Sequence, residues 1–254
     1  MNSATLERIS VFLAELLGTA ILVFLGCSTC ISGFGAVYNE LVICLTFGLV
    51  VMLVVNIFGC ISGAHINPAV TIAAVIYKLI TPGLAVFYVA GQLLGGFIGF
   101  GVLKLITPKH IWRPEDATGP GVCTTVPHPD LSPFTAVTVE FIITSVLIFL
   151  CCGVWDSRNA KHHDSVPLRF GLTITGLALA GARFSGGSMN PARSLGPAIW
   201  NGDFEHHWIY WVGPLLAPLV VTPFYRIVFQ QREAEPEETT EKRTEEFPLR
   251  TNNV

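Results

Sequence analysis

Apolar residues run almost unbroken through six stretches of the chain, near residues 10–32, 40–60, 83–106, 133–155, 166–183 and 207–229, and polar residues gather between them. Each stretch is about as long as the ~20 residues that carry an α-helix across a hydrocarbon core of ~30 Å, so each predicts a membrane span. Two shorter apolar runs follow the second and fifth spans. From Pro68 the run reaches Tyr77 and breaks at Thr81-Pro82-Gly83; from Pro191 it stops at Asn201-Gly202-Asp203. About ten helical residues rise roughly 15 Å, which is half of the core, so these runs predict half-spans. The first stretch is too long for a signal-peptide core and lacks a convincing cleavage pattern, so it is read as span one.

Both half-spans open inside one ten-residue box that occurs twice, Ser62 to Thr71 (SGAHINPAVT) and Ser185 to Ser194 (SGGSMNPARS). Asn67 and Asn190 are strong helix N-caps, and Pro68 and Pro191 suit the first helical position, where the missing N–H has no partner to lose. The repeat reaches further back. Ala14-Glu15-Leu16-Leu17-Gly18-Thr19 in span one answers Val139-Glu140-Phe141-Ile142-Ile143-Thr144 in span four, with 52 positions from Glu15 to Asn67 and 50 from Glu140 to Asn190. An internal repeat of three spans is odd in number, so the second copy enters the membrane in the opposite sense. The predicted fold is all-α: six transmembrane helices and two half-helices whose N-termini meet near the midplane. Repeat one covers 10–106 and repeat two 133–229, joined by the loop 107–132.

Composition excludes a soluble domain, with 51% apolar residues, 13% charged residues and a mean hydropathy of +0.58. Arg8, Arg158, Lys161, Arg169, Arg226 and Arg232 lie in or beside the termini and the loop after span four, whereas 33–39 has no Lys or Arg. That bias predicts both termini to be cytoplasmic, against Lys109 and Arg113 in the long central loop. Residues 1–9 form the predicted cytoplasmic N-terminus. From Gln231 onward seven acidic and four basic residues account for the whole formal net charge of −3, so 230–254 is predicted to be a disordered acidic cytoplasmic tail.

The candidate chemistry is that of passage. A capping Asn accepts from helix N–H groups through its oxygen, which leaves its NH2 free to donate into a pore; Asp would cap as well but attract cations. The small-residue stretches before the caps are too close to them to be helical, so the carbonyls of Gly63, Ala64, His65, Gly186, Gly187 and Ser188 are expected to line the route. His65 either lines it or anchors its loop. Glu15 and Glu140 are carboxylates in apolar helices, read either as a proton or ion relay or as acceptors for the loop N–H groups of their own halves. One per half-helix favours support.

Paired Asn-Pro-Ala boxes at Asn67, Pro68, Ala69 and Asn190, Pro191, Ala192 in a six-span inverted repeat resemble the aquaporin (major intrinsic protein) family, over residues 10–229. The resemblance implies a passive channel for water and small neutral solutes that excludes protons and ions, assembled as a homotetramer with one pore per subunit in the plasma membrane. It also implies an outer selectivity filter at Phe47, Ala178, Gly187 and Arg193. Strict animal water channels carry His where this chain has Ala178, so the filter is expected to be wider and to pass glycerol or urea between the apolar Phe47 and the donor fork of Arg193. Ser194, Ala198 and Tyr210-Trp211 are instead typical of the water branch, and strict water selectivity is the alternative. A water-branch body with a small residue at this position resembles the insect entomoglyceroporins.

The remaining features predict little chemistry. Gly91, Gly95 and Gly99 recur every four residues as a helix-packing face. Cys27 and Cys30 form a CxxC inside an apolar span, and of seven cysteines only Cys123 sits clearly in a loop, so no metal site and no disulfide framework is predicted. His162 and His163 read as a solvated loop. No cofactor, metal or nucleic acid is expected. A coupled transporter would need Glu15 and Glu140 in the substrate path, a junctional protein would have no use for paired Asn donors, and no nucleophile–base cluster suggests an enzyme.

Overall fold

The computed structural model describes residues 2–32, 34–35, 38–112 and 119–230. Arg113 and the acidic tail from 231 lie outside the described residues. Among the described residues, six helices are long and apolar enough to cross a membrane: α1 (Ser3–Ser28), α2 (Glu40–Ser62), α4 (Pro82–Ile106), α6 (Pro133–Trp155), α7 (Val166–Ser185) and α9 (Ile209–Val228). The half-helices are α3 (Pro68–Tyr77) and α8 (Pro191–Asn201), and a single turn, α5 (Lys109–Trp112), lies in the central loop. A 3₁₀ helix, Ser157–Ser165, joins α6 to α7 and carries the exposed His162 and His163.

Local chemistry sets the helix starts. Asn67, Thr81, Ser132 and Asn190 each accept a backbone N–H of the first turn, and each is followed directly by Pro. α1 begins earlier than its apolar stretch, because Asn2 Oδ1 accepts from Ala4 N at 2.9 Å. Residues 3–9 are therefore an exposed helical extension of span one. At the far end of α6, Asp156 accepts from Arg158 Nη2 at 2.6 Å and Nε at 2.8 Å, and Tyr225 of α9 donates to it at 3.2 Å. Arg158 holds the Asp156 carboxyl down at about 2. The clasp is therefore complete above the ordinary Asp range and fades only as the pH falls through about 2.

The repeat is visible in the packing. α1 lies along α4 and α6 along α9, while α2 meets α7 across the two halves. Each half-helix rests on the last span of the other half, α3 on α9 and α8 on α4. On α2, Leu41, Leu45, Leu49 and Leu53 are 40% to 55% exposed, an apolar stripe that only lipid or another apolar surface satisfies.

The α1–α4 contact is closed by the glycines singled out by their spacing. A Cβ at Gly91 would lie 2.6 Å from the Phe12 carbonyl oxygen, and those at Gly95 and Gly99 would meet the Leu16 and Ala20 carbonyl oxygens. These are backbone atoms and cannot step aside. Gly95→Leu is expected to cost about 3 kcal/mol and to lower the melting temperature by about 10 °C, measured by thermal unfolding in detergent. A shift within 2 °C of wild type would refute the close contact.

Candidate functional site

The two boxes fold back to back. Asn67 Oδ1 accepts from Ala69 N at 2.9 Å, and Asn190 Oδ1 accepts from Ala192 N at 3.0 Å and Arg193 N at 3.3 Å. Their amide nitrogens cross over: Asn67 Nδ2 donates to Met189 O and Asn190 Nδ2 to Ile66 O, both at 2.8 Å. The Asn NH2 groups are thus half committed. One N–H of each holds the opposite loop, and the second has no protein acceptor among the described residues. These bonds bring the N-termini of α3 and α8 together.

The loops before the caps need their supports. Left-handed backbone occurs at Gly63, Ala64 and Ile66 in one half and at Gly186, Gly187 and Met189 in the other, and a non-glycine residue there costs on the order of 1–2 kcal/mol. Glu15 offsets this by accepting from Ser62 Oγ (2.6 Å), His65 N (2.9 Å), Ile66 N (2.7 Å) and Gln92 Nε2 (2.7 Å). Glu140 accepts from Ser185 Oγ (2.6 Å), Ser188 N (2.9 Å) and Met189 N (2.7 Å). Both carboxyl groups are fully buried and neither lines the central cavity.

That cavity, about 1010 Å³, is lined from Cys30 and Cys123 at one end to Asp156 and His163 at the other. Gly63, Ala64, His65, Gly186, Gly187 and Ser188 all line it, as do Asn67 and Asn190. Pro68, Ala69, Pro191 and Ala192 are buried but do not line it; Ala192 backs onto α4, where its carbonyl oxygen would lie 2.5 Å from a Cβ at Gly96. His65 does both of the things open to it. Its Nδ1 lies 3.2 Å from Thr71 Oγ1 and its ring stacks on Tyr88 with 4.6 Å between centroids, yet it still reaches the cavity.

Phe47, Ala178, Gly187 and Arg193 come from α2, α7, the second loop and α8 to the same cavity. The Arg193 guanidinium sits over the Phe47 ring, 4.7 Å from its centroid. Phe47 has room because a Cβ at Gly26 would overlap its ring. Gly187 is held against α7, where a Cβ would be 3.0 Å from Ala178 O. Arg193 Nη1 donates to Cys123 O at 2.9 Å.

The structure corrects the cysteine reading. No disulfide was expected, yet Cys27 is bonded to Cys123, 96 residues away. Cys27 occupies the last turn of α1 and Cys123 the central loop, so sequence spacing carries no trace of the pair. Other contributors also went unseen. Tyr88 OH donates to Ser62 O and Tyr210 OH to Ser185 O, at 2.6 and 2.7 Å. Lys104 Nζ donates to Trp200 O and Arg226 Nη1 to Ile76 O, at 2.6 and 2.8 Å, placing a cation at the negative C-terminal end of each half-helix. These pairs occupy matching places in the two halves. Aligning the repeats beyond their boxes is the signal that finds them.

The Major intrinsic protein family model matches residues 2–225. The chain belongs to the major intrinsic protein family. It is 40% identical to bovine (Bos taurus) aquaporin-4 over 85% of this chain, and spans 66% of that protein's length. Identity is 36% to the lens fiber major intrinsic protein of Lithobates pipiens, with 95% of each chain covered, and 38% to aquaporin-2 of Rattus norvegicus, with 84% and 76% covered. Among solved structures, the aquaglyceroporin from Plasmodium falciparum superposes with a TM-score of 0.75 at 26% identity, covering 87% of this chain and 96% of the other.

Proposed function

We propose that the chain is a passive membrane pore for water, and that its constriction at Ala178 also admits small uncharged solutes such as glycerol or urea. The observation that carries the pore is the crossed pair of caps, Asn67 and Asn190, each with one N–H left over beside a cavity lined from end to end. Carbonyls from both loops supply acceptors on either side of these donors. A cation between two N-termini of roughly half a charge each, at about 6 Å and an effective dielectric of about 20, meets a barrier of about 3 kcal/mol before desolvation. Neutral molecules meet none of it. Glu15 and Glu140 take no part in transport, because their oxygens are occupied by the loops.

Strict water selectivity is the second reading, and similarity to proteins named aquaporin-4 and aquaporin-2 favours it. Against it stands the methyl group of Ala178 in a wall otherwise made by Phe47, Gly187 and Arg193. The orientation proposed from charge, with both termini cytoplasmic, gains support from the Cys27–Cys123 bond at the opposite face, since disulfides persist on the oxidising side of a membrane. A homotetramer in the plasma membrane with one pore per subunit completes the proposal.

Stopped-flow light scattering of proteoliposomes tests it. Osmotic shrinkage faster than that of empty liposomes is expected, followed in hyperosmotic glycerol or urea by reswelling faster than the lipid allows. Shrinkage at the lipid rate would refute the pore, and fast shrinkage without reswelling would leave a strict water channel.

A further inference from the structure

The Cys27–Cys123 disulfide sits between the two walls of the constriction. On one side, Cys27 follows Gly26, on which the Phe47 ring rests so closely that any side chain there would overlap it. On the other, Cys123 touches Arg193 twice, through its carbonyl oxygen to Nη1 at 2.9 Å and through its sulfur to Nη2 at 3.5 Å. A short covalent path therefore runs from the floor under Phe47, through the two sulfurs, to the acceptor that fixes the guanidinium. Val122 and Cys123 also pack on the apolar cluster that holds Phe47, but the hydrogen bonds of this loop to other elements lead elsewhere. Asn201 Nδ2 donates to Val122 O and Thr124 Oγ1, Thr125 Oγ1 donates to Ser194 Oγ, and His128 N donates to Phe184 O. Every one of those partners belongs to α7 or α8. Among the described residues, the disulfide is the one covalent cross-link from this loop to α1, the helix against which Phe47 packs; the chain itself runs back only to α4.

We infer that the Cys27–Cys123 disulfide sets the spacing between Phe47 and Arg193, making the selectivity of the pore dependent on the redox state of this pair. Cys123 is a positioning residue: it acts on permeating molecules through Arg193. Reduction adds two electrons and two protons and returns two thiols. The loop then keeps its hydrogen bonds to α7 and α8 but is released from α1, and the guanidinium moves with it relative to Phe47. A constriction held on one side only discriminates less by size. The inference rests on the proposed function, since it takes Arg193 to line the constriction.

The test measures urea and water permeability of proteoliposomes side by side, with and without the phosphine reductant TCEP, which is oxidised to its oxide as the disulfide becomes two thiols. Wild type, Cys27→Ala and Cys30→Ser are compared, and the cysteines are mapped by maleimide labelling and mass spectrometry. Cys30 is free in the structure and lines the same end of the cavity, so it controls for effects of thiols near the mouth. Cys27 and Cys123 are expected to be unlabelled before reduction and labelled after it. The urea-to-water permeability ratio is expected to rise about threefold on reduction, a small part of the selectivity that one charge-assisted hydrogen bond can hold. Cys27→Ala should show the raised ratio without reductant and gain nothing from it, while Cys30→Ser should behave as wild type. A ratio that stays constant while the labelling shows the bond opening would overturn the inference, as would free thiols at both positions or a Cys30–Cys123 pair. Water flux at the lipid rate in every redox state would instead refute the pore itself, with the labelling still reporting on the bond.

Discussion

Replacing Glu140 by alanine is expected to cost about 5 kcal/mol and to lower the melting temperature by more than 10 °C, enough to prevent recovery of folded protein from the membrane. The carboxylate gathers Ser185 Oγ, Ser188 N and Met189 N. Truncation leaves all three donors facing a buried gap without an acceptor, at about 1–3 kcal/mol each. It also removes what holds Gly186, Gly187 and Met189 in left-handed backbone. Glu140→Gln should fall between, because it keeps an acceptor oxygen but turns an NH2 toward groups that also donate. Size-exclusion profiles and thermal unfolding in detergent measure both variants. A proton relay predicts a different pattern: Glu140→Gln would fold normally and lose only a gradient-driven flux. A stable, monodisperse Glu140→Ala would rule out the supporting role.

The spans were legible because a membrane helix needs only a long apolar run, and the half-helices because Asn-Pro marks a start while Tyr77 and Asn201 mark early ends. The glutamates were legible because the repeat placed them twice. What the sequence hid were contacts that no local pattern encodes. Asn67 meets Met189 and Asn190 meets Ile66 across 122 and 124 positions. Tyr88 and Tyr210 look like ordinary span aromatics until each is seen donating to the carbonyl that ends α2 or α7. Gln92 has no counterpart bonded to Glu140, so even the repeat does not reveal it. The Cys27–Cys123 pair stayed hidden because Cys27 lies in an apolar span and its partner is 96 residues away, so no disulfide was expected. At Phe47, Ala178, Gly187 and Arg193 the residue types could be read, but the stacking of Arg193 on Phe47 depends on Gly26 and Cys123, neither of which belongs to a motif.

The Ala178→His variant is expected to lose glycerol and urea permeability at least tenfold, down to the lipid background, while keeping its water flux. Ala178 is 8% exposed and lines the cavity from α7. It shares the proposed constriction with Phe47, the backbone of Gly187 and the guanidinium of Arg193, which line the same cavity. An imidazole there replaces a methyl with a ring that projects into the opening, and its N–H and lone pair give water a further partner. Tenfold is about 1.4 kcal/mol, less than the cost of forcing a carbon skeleton past a rigid ring in a packed wall. Water loses little, because it is small and exchanges one hydrogen-bond partner for another. The same result reads the wild type in reverse: if the histidine variant turns a pore for solutes into one for water, then Ala178 is what lets solutes through this chain. If wild type and variant both pass water alone, Ala178 does not govern solute entry, and the similarity to aquaporin-4 is the better guide to what this pore conducts.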